Sequence, residues 1–67
     1  MFNIQYSKHA RVRMIERGIS KNEVQKAIIK GLKRFQNDKI IASYSYFEVV
    51  YKKIDDIIYV ITVQPRW

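Results

Sequence analysis

Ser7-Lys-His-Ala-Arg-Val-Arg-Met-Ile-Glu-Arg-Gly-Ile-Ser-Lys-Asn-Glu-Val-Gln-Lys-Ala-Ile-Ile-Lys-Gly31 holds two helix-length segments together with the signals that start and stop each. Ser7 is an N-cap residue, and its hydroxyl can satisfy an orphan N–H of the first turn. Lys8–Arg17 has no Gly or Pro, and Gly18 then supplies a residue free to adopt the left-handed conformation that closes a helix. Ser20 opens a second helix with Glu23 three positions on, the reciprocal Ser-x-x-Glu capping box. Val24, Ala27 and Ile28 recur at i, i+3 and i+4, which makes one apolar stripe, and Gly31 ends the segment. Helices this short are marginal alone in water. Both must lie on something.

The chain that follows supplies a sheet. Leu32–Gln36 and Lys39–Ser43 flank the turn pair Asn37-Asp38, and Tyr46–Ile54 and Ile57–Gln64 flank Asp55-Asp56. The second pair of runs is rich in β-branched and aromatic residues. A two-residue turn at Asp55-Asp56 sets Tyr51 opposite Val60 and Val49 opposite Thr62. One face then carries Phe47, Val49, Tyr51, Ile58 and Val60, and the other carries Tyr46, Glu48, Val50, Lys52, Tyr59, Ile61 and Val63. A one-residue slip would exchange one strand's set. Ahead of the helices, Phe2–Tyr6 alternates apolar and polar residues, as a short edge strand or an ordered lead-in does. Pro65 ends the last strand because it cannot donate to the ladder. The expected fold is α+β, with two N-terminal helices packed on one face of a four-stranded antiparallel sheet.

At 67 residues the chain is read as one domain, 1–67, near the size at which a single core only just suffices. With 48% hydrophobic residues it is too apolar for disorder. The longest apolar runs, Ile40–Ala42 and Ile57–Ile61, are strand-sized, so no membrane span is expected. The N-terminus lacks the pattern of a secretory signal. Absence of cysteine fits a reducing compartment, and the expected location is cytoplasmic. Thirteen Lys and Arg against six Asp and Glu leave a net charge of +7, for which a polyanion is the natural partner, although such a balance also serves solubility alone.

On a helical wheel His9, Arg13 and Arg17 fall at i, i+4 and i+8 along one side, with Glu16 beside them and Ala10 and Met14 on the neighbouring flank. Metal-free cleavage of RNA needs a base for the 2′-hydroxyl, an acid for the leaving oxygen and fixed positive charge for the phosphorane. Histidine titrates near neutrality and suits the proton transfers. Arginine is planar, permanently charged and bidentate toward phosphate. The plainer reading is a solvated helix face, with Arg13 or Arg17 paired to Glu16 or Glu23. Further cations, Arg11, Lys33, Arg34, Lys52 and Lys53, are candidate nucleic-acid contacts. Among the aromatics, Tyr44, Tyr46, Tyr59 and Trp67 are candidates to stack on bases, against the ordinary use of such residues to cover a small sheet. Glycine-rich phosphate loops, Cys/His metal spacing and Ser-His-Asp patterns are absent from the sequence, so neither metal nor cofactor is expected.

His9-Ala10-Arg11-Val12-Arg13-Met14-Ile15-Glu16-Arg17-Gly18-Ile19-Ser20 resembles the His-Ala-x-x-Arg-Met-x-Glu-Arg-Gly-Ile-Ser signature of a small prokaryotic domain family of unassigned function. That family is allied to the RelE/ParE toxin superfamily and the wider barnase–EndoU–colicin–RelE nuclease fold. The resemblance continues through Glu23-Val24, Gly31 and Ile61-Thr62-Val63. It implies a RelE-like fold, an RNase or toxin role, and His9, Arg13 and Arg17 as site residues, with Thr62 a weaker candidate. The implied partners are RNA, including ribosome-associated mRNA, and an antitoxin protein. Homodimerisation through the open sheet face or an edge is a further expectation, because two short helices cover only one face. The alternatives are a non-catalytic nucleic-acid- or ribosome-binding module on the same fold, and a small protein-interaction domain.

Overall fold

A computed structural model describes residues 3–66. The elements are β1 (Asn3–Tyr6), α1 (Lys8–Arg17), α2 (Lys21–Lys30), β2 (Leu32–Gln36), β3 (Lys39–Tyr44), β4 (Phe47–Ile54) and β5 (Ile57–Pro65). Phe2 and Trp67, which figured in the expected first strand and among the candidate aromatics, lie outside the described residues.

Both helices begin and end where their signals stand. The Ser7 hydroxyl accepts the Ala10 N–H at 2.9 Å, and Gly18 closes α1 at φ 67°. In α2 the Ser20 hydroxyl accepts from the Glu23 N–H at 3.1 Å while the Glu23 carboxylate accepts from the Ser20 N–H at 3.0 Å. Gly31 serves a different purpose from Gly18. A Cβ there would stand 2.5 Å from the Ala27 carbonyl oxygen and 2.8 Å from that of Ser43, so only glycine lets α2 turn directly into β2.

The expected four-stranded antiparallel sheet is corrected to a five-stranded mixed one, ordered β1-β5-β4-β3-β2, still within an α+β fold. The added strand, β1, runs parallel to β5, with Asn3 opposite Ile57 and Tyr6 opposite Val60. Alternation within a four-residue run signals a strand but carries no information on its partner, and this partner is more than fifty residues away. The helices carry the chain from β1 to β2 at the opposite edge, and the meander through β3 and β4 brings β5 back beside β1.

The expected hairpin turns are both present, with Asn37 at φ 59° and Asp55 at φ 55°. Tyr51 lies opposite Val60 as expected. Beyond that pair the register shifts, because Val50 faces Thr62 and leaves Ile61 as the extra residue of a β-bulge. Val49 therefore opposes Val63, not Thr62, and Val63 joins the helix-side core instead of the far face. Ser7 ties this bulge to the helix: its N–H donates to the Val60 carbonyl at 2.9 Å and its hydroxyl to the Ile61 carbonyl at 2.6 Å. One serine thus joins the end of β1, the bulge of β5 and the first turn of α1.

Ala10 and Met14 of α1, Ile19 of the elbow, and Val24, Ala27 and Ile28 of α2 are buried with Ala42, Phe47, Val49, Tyr51, Ile58, Val60 and Val63. On the face without helices, Ile41 and Val50 are nonetheless buried at 4% and 8% exposure, so this face is not the wet apolar patch that the composition of the strands suggests. Their row runs Arg34, Ile41, Val50, Thr62 across β2 to β5, beside the row Leu32, Ser43, Glu48, Gln64. Tyr46 is not on this face at all. It lies in the β3–β4 turn beside Ser45, which takes φ 54°.

Candidate functional site

Because Ser7 fixes the start of α1 against β5, the flank of that helix bearing positions 9, 13 and 17 runs along the last part of the strand. His9, Arg13 and Arg17 line one cleft of about 260 Å³ whose other wall is Thr62, Val63, Gln64 and Pro65. The three helix residues of the stripe are therefore brought together, and Thr62 borders their cleft from β5 although its register places it in the far-face row with Val50. His9 and Arg17 are exposed, and neither enters an ion pair among the described residues. Arg13 lies 3.6 Å from the Glu16 carboxylate, a loose pair between two well-exposed side chains that contributes little. The cleft thus holds a titratable ring and two guanidinium groups whose positive charge is almost uncompensated.

A second cleft, of about 420 Å³, adjoins the first through Arg17 and Pro65. Ile19, Phe47 and Pro65 give it an apolar floor, and Glu16, Tyr46 and Arg66 complete it. Tyr46 is 54% exposed, with its ring edge-on to that of Phe47 at 5.4 Å.

The other candidate contacts lie away from these clefts. Arg11 borders a separate hollow of about 440 Å³ at the elbow between the helices. Lys33 and Arg34 are on β2, one of the two edge strands of the sheet. Arg34 is committed to Glu48, whose carboxylate it meets at 3.0 Å. Lys52 pairs with Asp38 at 3.0 Å, and Lys53 is exposed near the end of β4 opposite Ile58. Of the candidate aromatics, Tyr44 is half-buried against the core and Tyr59 is exposed on β5.

The far face carries a polar cluster that the sequence reading did not single out. Glu48, 8% exposed, accepts hydrogen bonds from the Ser43 hydroxyl (3.0 Å), the Gln64 amide (3.0 Å) and the Arg34 guanidinium (3.0 Å). The Gln64 hydrogen bond, aided by those from Arg34 and Ser43, holds this carboxyl below its ordinary value of 4.5 against the opposing effect of burial. One acid inside the apolar run Phe47-Glu48-Val49-Val50 was the available signal, since a carboxylate placed there must find partners. Tyr46, a stacking candidate expected on the far face, stands instead beside α1, and Arg66 was not among the candidates, because neither the turn at Ser45-Tyr46 nor the return of the chain end onto it is written in local pattern.

The chain belongs to the family described as a domain of unknown function (DUF4258), whose model matches residues 6–65. None of the curated proteins matches the sequence. Among solved structures, the fold is similar to a chain of the crystal structure of the toxin–antitoxin complex RelBE2 from Mycobacterium tuberculosis, with a TM-score of 0.70 over 97% of this chain and 98% of that one. The two chains share 11% sequence identity, so the likeness is one of fold. Among the described residues no helix is long and apolar enough to cross a membrane.

Proposed function

We propose that this chain is a toxin-like RNA-binding protein of a toxin–antitoxin type system, acting in the cytoplasm and cleaving RNA through acid–base and cationic groups of its own. The observation that carries this reading is the meeting of His9, Arg13 and Arg17 in one cleft against β5. In the reaction the 2′-hydroxyl oxygen attacks the adjoining phosphorus as its proton passes to a base. The bond to the 5′-oxygen breaks as that oxygen takes up a proton. His9 performs one of these transfers as general acid or base. Arg13 and Arg17 bind the non-bridging oxygens and offset the charge that builds on the phosphorane. Thr62 lies within reach as a polar contact. Arg11, Lys33 and Lys53 contribute to the positive field that draws RNA toward the molecule, whereas Arg34 and Lys52 are paired with Glu48 and Asp38 and add little to it.

The shared fold with a chain of a toxin–antitoxin complex supports a protein partner as well. We assign that partner to the free edge of β2, where Leu32 and Phe35 are exposed and Ile29 of α2 is exposed nearby.

The test is turnover of a single-stranded RNA by wild type and His9→Ala. Removing a general acid or base lowers the rate by about 10²- to 10⁴-fold, and because His9 is exposed the melting temperature should stay within about a degree of wild type. RNA binding without turnover by wild type would assign the chain to non-catalytic recognition. A large loss of stability in His9→Ala would make His9 a structural residue.

A further inference from the structure

We propose that Tyr46 is a base-stacking residue: its ring receives one nucleobase of a single-stranded RNA while the neighbouring phosphate lies against Arg13 and Arg17. This inference rests on the phosphate-binding reading given above. The two clefts are neighbours, with Arg17 and Pro65 bordering both. One is cationic and open, whereas the other has an apolar floor of Ile19, Phe47 and Pro65, the first two of them 5% and 1% exposed. Tyr46 leaves its ring 54% exposed at the lip of this cleft, an open aromatic face against which a flat group can lie.

Tyr46 is also held in place before any ligand arrives. Its ring meets the buried Phe47 at 73°, an edge-to-face contact. The turn that carries it is braced by the end of the chain: the Arg66 N–H donates to the Tyr46 carbonyl at 2.9 Å and the Arg66 guanidinium to the Ser45 carbonyl at 3.3 Å. Arg17 and Arg66 line this cleft with a single carboxylate, that of Glu16. The occupant that suits an exposed ring, an apolar floor and a cationic rim is a planar base attached to a phosphate. The base must be unpaired, because bases within a duplex offer no free face. From His9 to Arg17 the helix advances about 12 Å, enough to follow more than one nucleotide of the strand.

The experiment measures binding of a fluorescein-labelled octauridylate and of inorganic polyphosphate, a polyanion without bases, to wild type, Tyr46→Ala, Tyr46→Phe and Arg17→Gln. Tyr46→Ala should weaken octauridylate binding by about 5- to 150-fold, leave polyphosphate binding unchanged and keep the salt slope of wild type. Tyr46→Phe should bind within about 2-fold of wild type, since the stacking face is retained. Arg17→Gln should weaken both ligands and flatten the slope. If Arg17→Gln behaves so but Tyr46→Ala binds octauridylate as wild type does, or loses both ligands equally, the stacking role is overturned while the phosphate site stands. If wild type binds neither ligand at low salt, both readings fall together. Should Tyr46→Ala fail to fold, Tyr46→Leu keeps the cover over Phe47 and faces the same criteria.

Discussion

On the helix side of the molecule, Arg13 and Arg17 stand beside His9 with one loose carboxylate contact at 3.6 Å among them. On the opposite face, Arg34 is closed onto Glu48 at 3.0 Å, and Ser43 and Gln64 also donate to that carboxylate. Both regions hold guanidinium groups near a carboxylate, yet they do opposite things. In the first the positive charge is left largely unpaired and open to solvent. In the second it is consumed internally, and the cluster joins four adjacent strands, β2 to β5, by side chains as well as by the ladder. Net charge alone, +7, cannot tell these cases apart, because it counts every arginine equally. Position relative to a buried acid decides which cations remain usable.

The sharpest way to break this contrast is to remove Glu48. Glu48→Ala would leave the Ser43 hydroxyl and the Gln64 amide without their acceptor and Arg34 without its counter-ion. Breaking a fully buried pair costs about 3–5 kcal/mol, and the 57% exposure of the Arg34 side chain reduces this to about 2–3 kcal/mol here. Urea unfolding checks the figure, and RNA affinity should not fall. The pH dependence has a definite sign. A carboxyl held below its ordinary value of 4.5 in the folded state stabilises the protein fully above that value, and the contribution is lost as pH falls through the lower, folded value. The melting-temperature gap between wild type and Glu48→Gln should therefore be widest at neutral pH and close in acid. Asp38 is lowered too, chiefly by the Lys52 hydrogen bond, but it is present in both proteins and drops out of the difference. A gap that persists at pH 3 would mean that Glu48 acts through packing and not through its charge.

Sequence patterns reveal these two regions unequally. The helix stripe was legible because local rules suffice for it. Ser7, Gly18, the Ser20–Glu23 box and Gly31 set the bounds of the helices, and the helical period brings 9, 13 and 17 to one flank. The hairpins at Asn37-Asp38 and Asp55-Asp56 were legible for the same reason. What escaped depends on contacts between distant segments. The parallel pairing of β1 is decided by where the helices return the chain. The bulge at Ile61 shifts everything after Val60 by one residue and could not be seen from alternation, since each half of β5 alternates correctly by itself. Tyr46 reads as a strand residue because its neighbours are strand formers, yet the third hairpin turns at Ser45 despite the cost of a positive φ for serine. The Glu48 cluster needs residues from four strands in register before it exists.

Ser7 tests how firmly the helix side depends on that bulge. Ser7→Ala removes the cap on the Ala10 N–H and the donor to the Ile61 carbonyl, which together should cost about 1–2 kcal/mol. Ser7→Thr retains both hydrogen bonds and should stay within about 0.5 kcal/mol of wild type, as a near-equivalent cap does. Ser7→Asp retains the cap but sets a carboxylate against a carbonyl oxygen, so it should not recover stability. If Asp restores wild-type stability, the Ile61 hydrogen bond contributes nothing, and α1 is positioned by its apolar face alone.

The smallest effect expected is also the one that decides between the two sets of cations. The salt dependence of RNA binding counts the phosphate contacts made, at close to one unit of slope for each. Arg17→Gln should lower the slope by about one unit, and the double variant Arg13→Gln with Arg17→Gln by up to about two. Arg34→Gln should lower it by much less than one unit, because that guanidinium is already neutralised at 3.0 Å by Glu48 and displaces few counterions from a phosphate. The variant does expose the RNA to an unpaired Glu48, but at 0.15 M salt that repulsion is screened over about 8 Å. It should shift the affinity slightly without changing the count. The measurement is a series of binding isotherms between low and moderate salt for the four proteins. A full unit lost in Arg34→Gln and none in Arg17→Gln would move the RNA track onto the open sheet face, and the contrast between spent and available cations would be reversed.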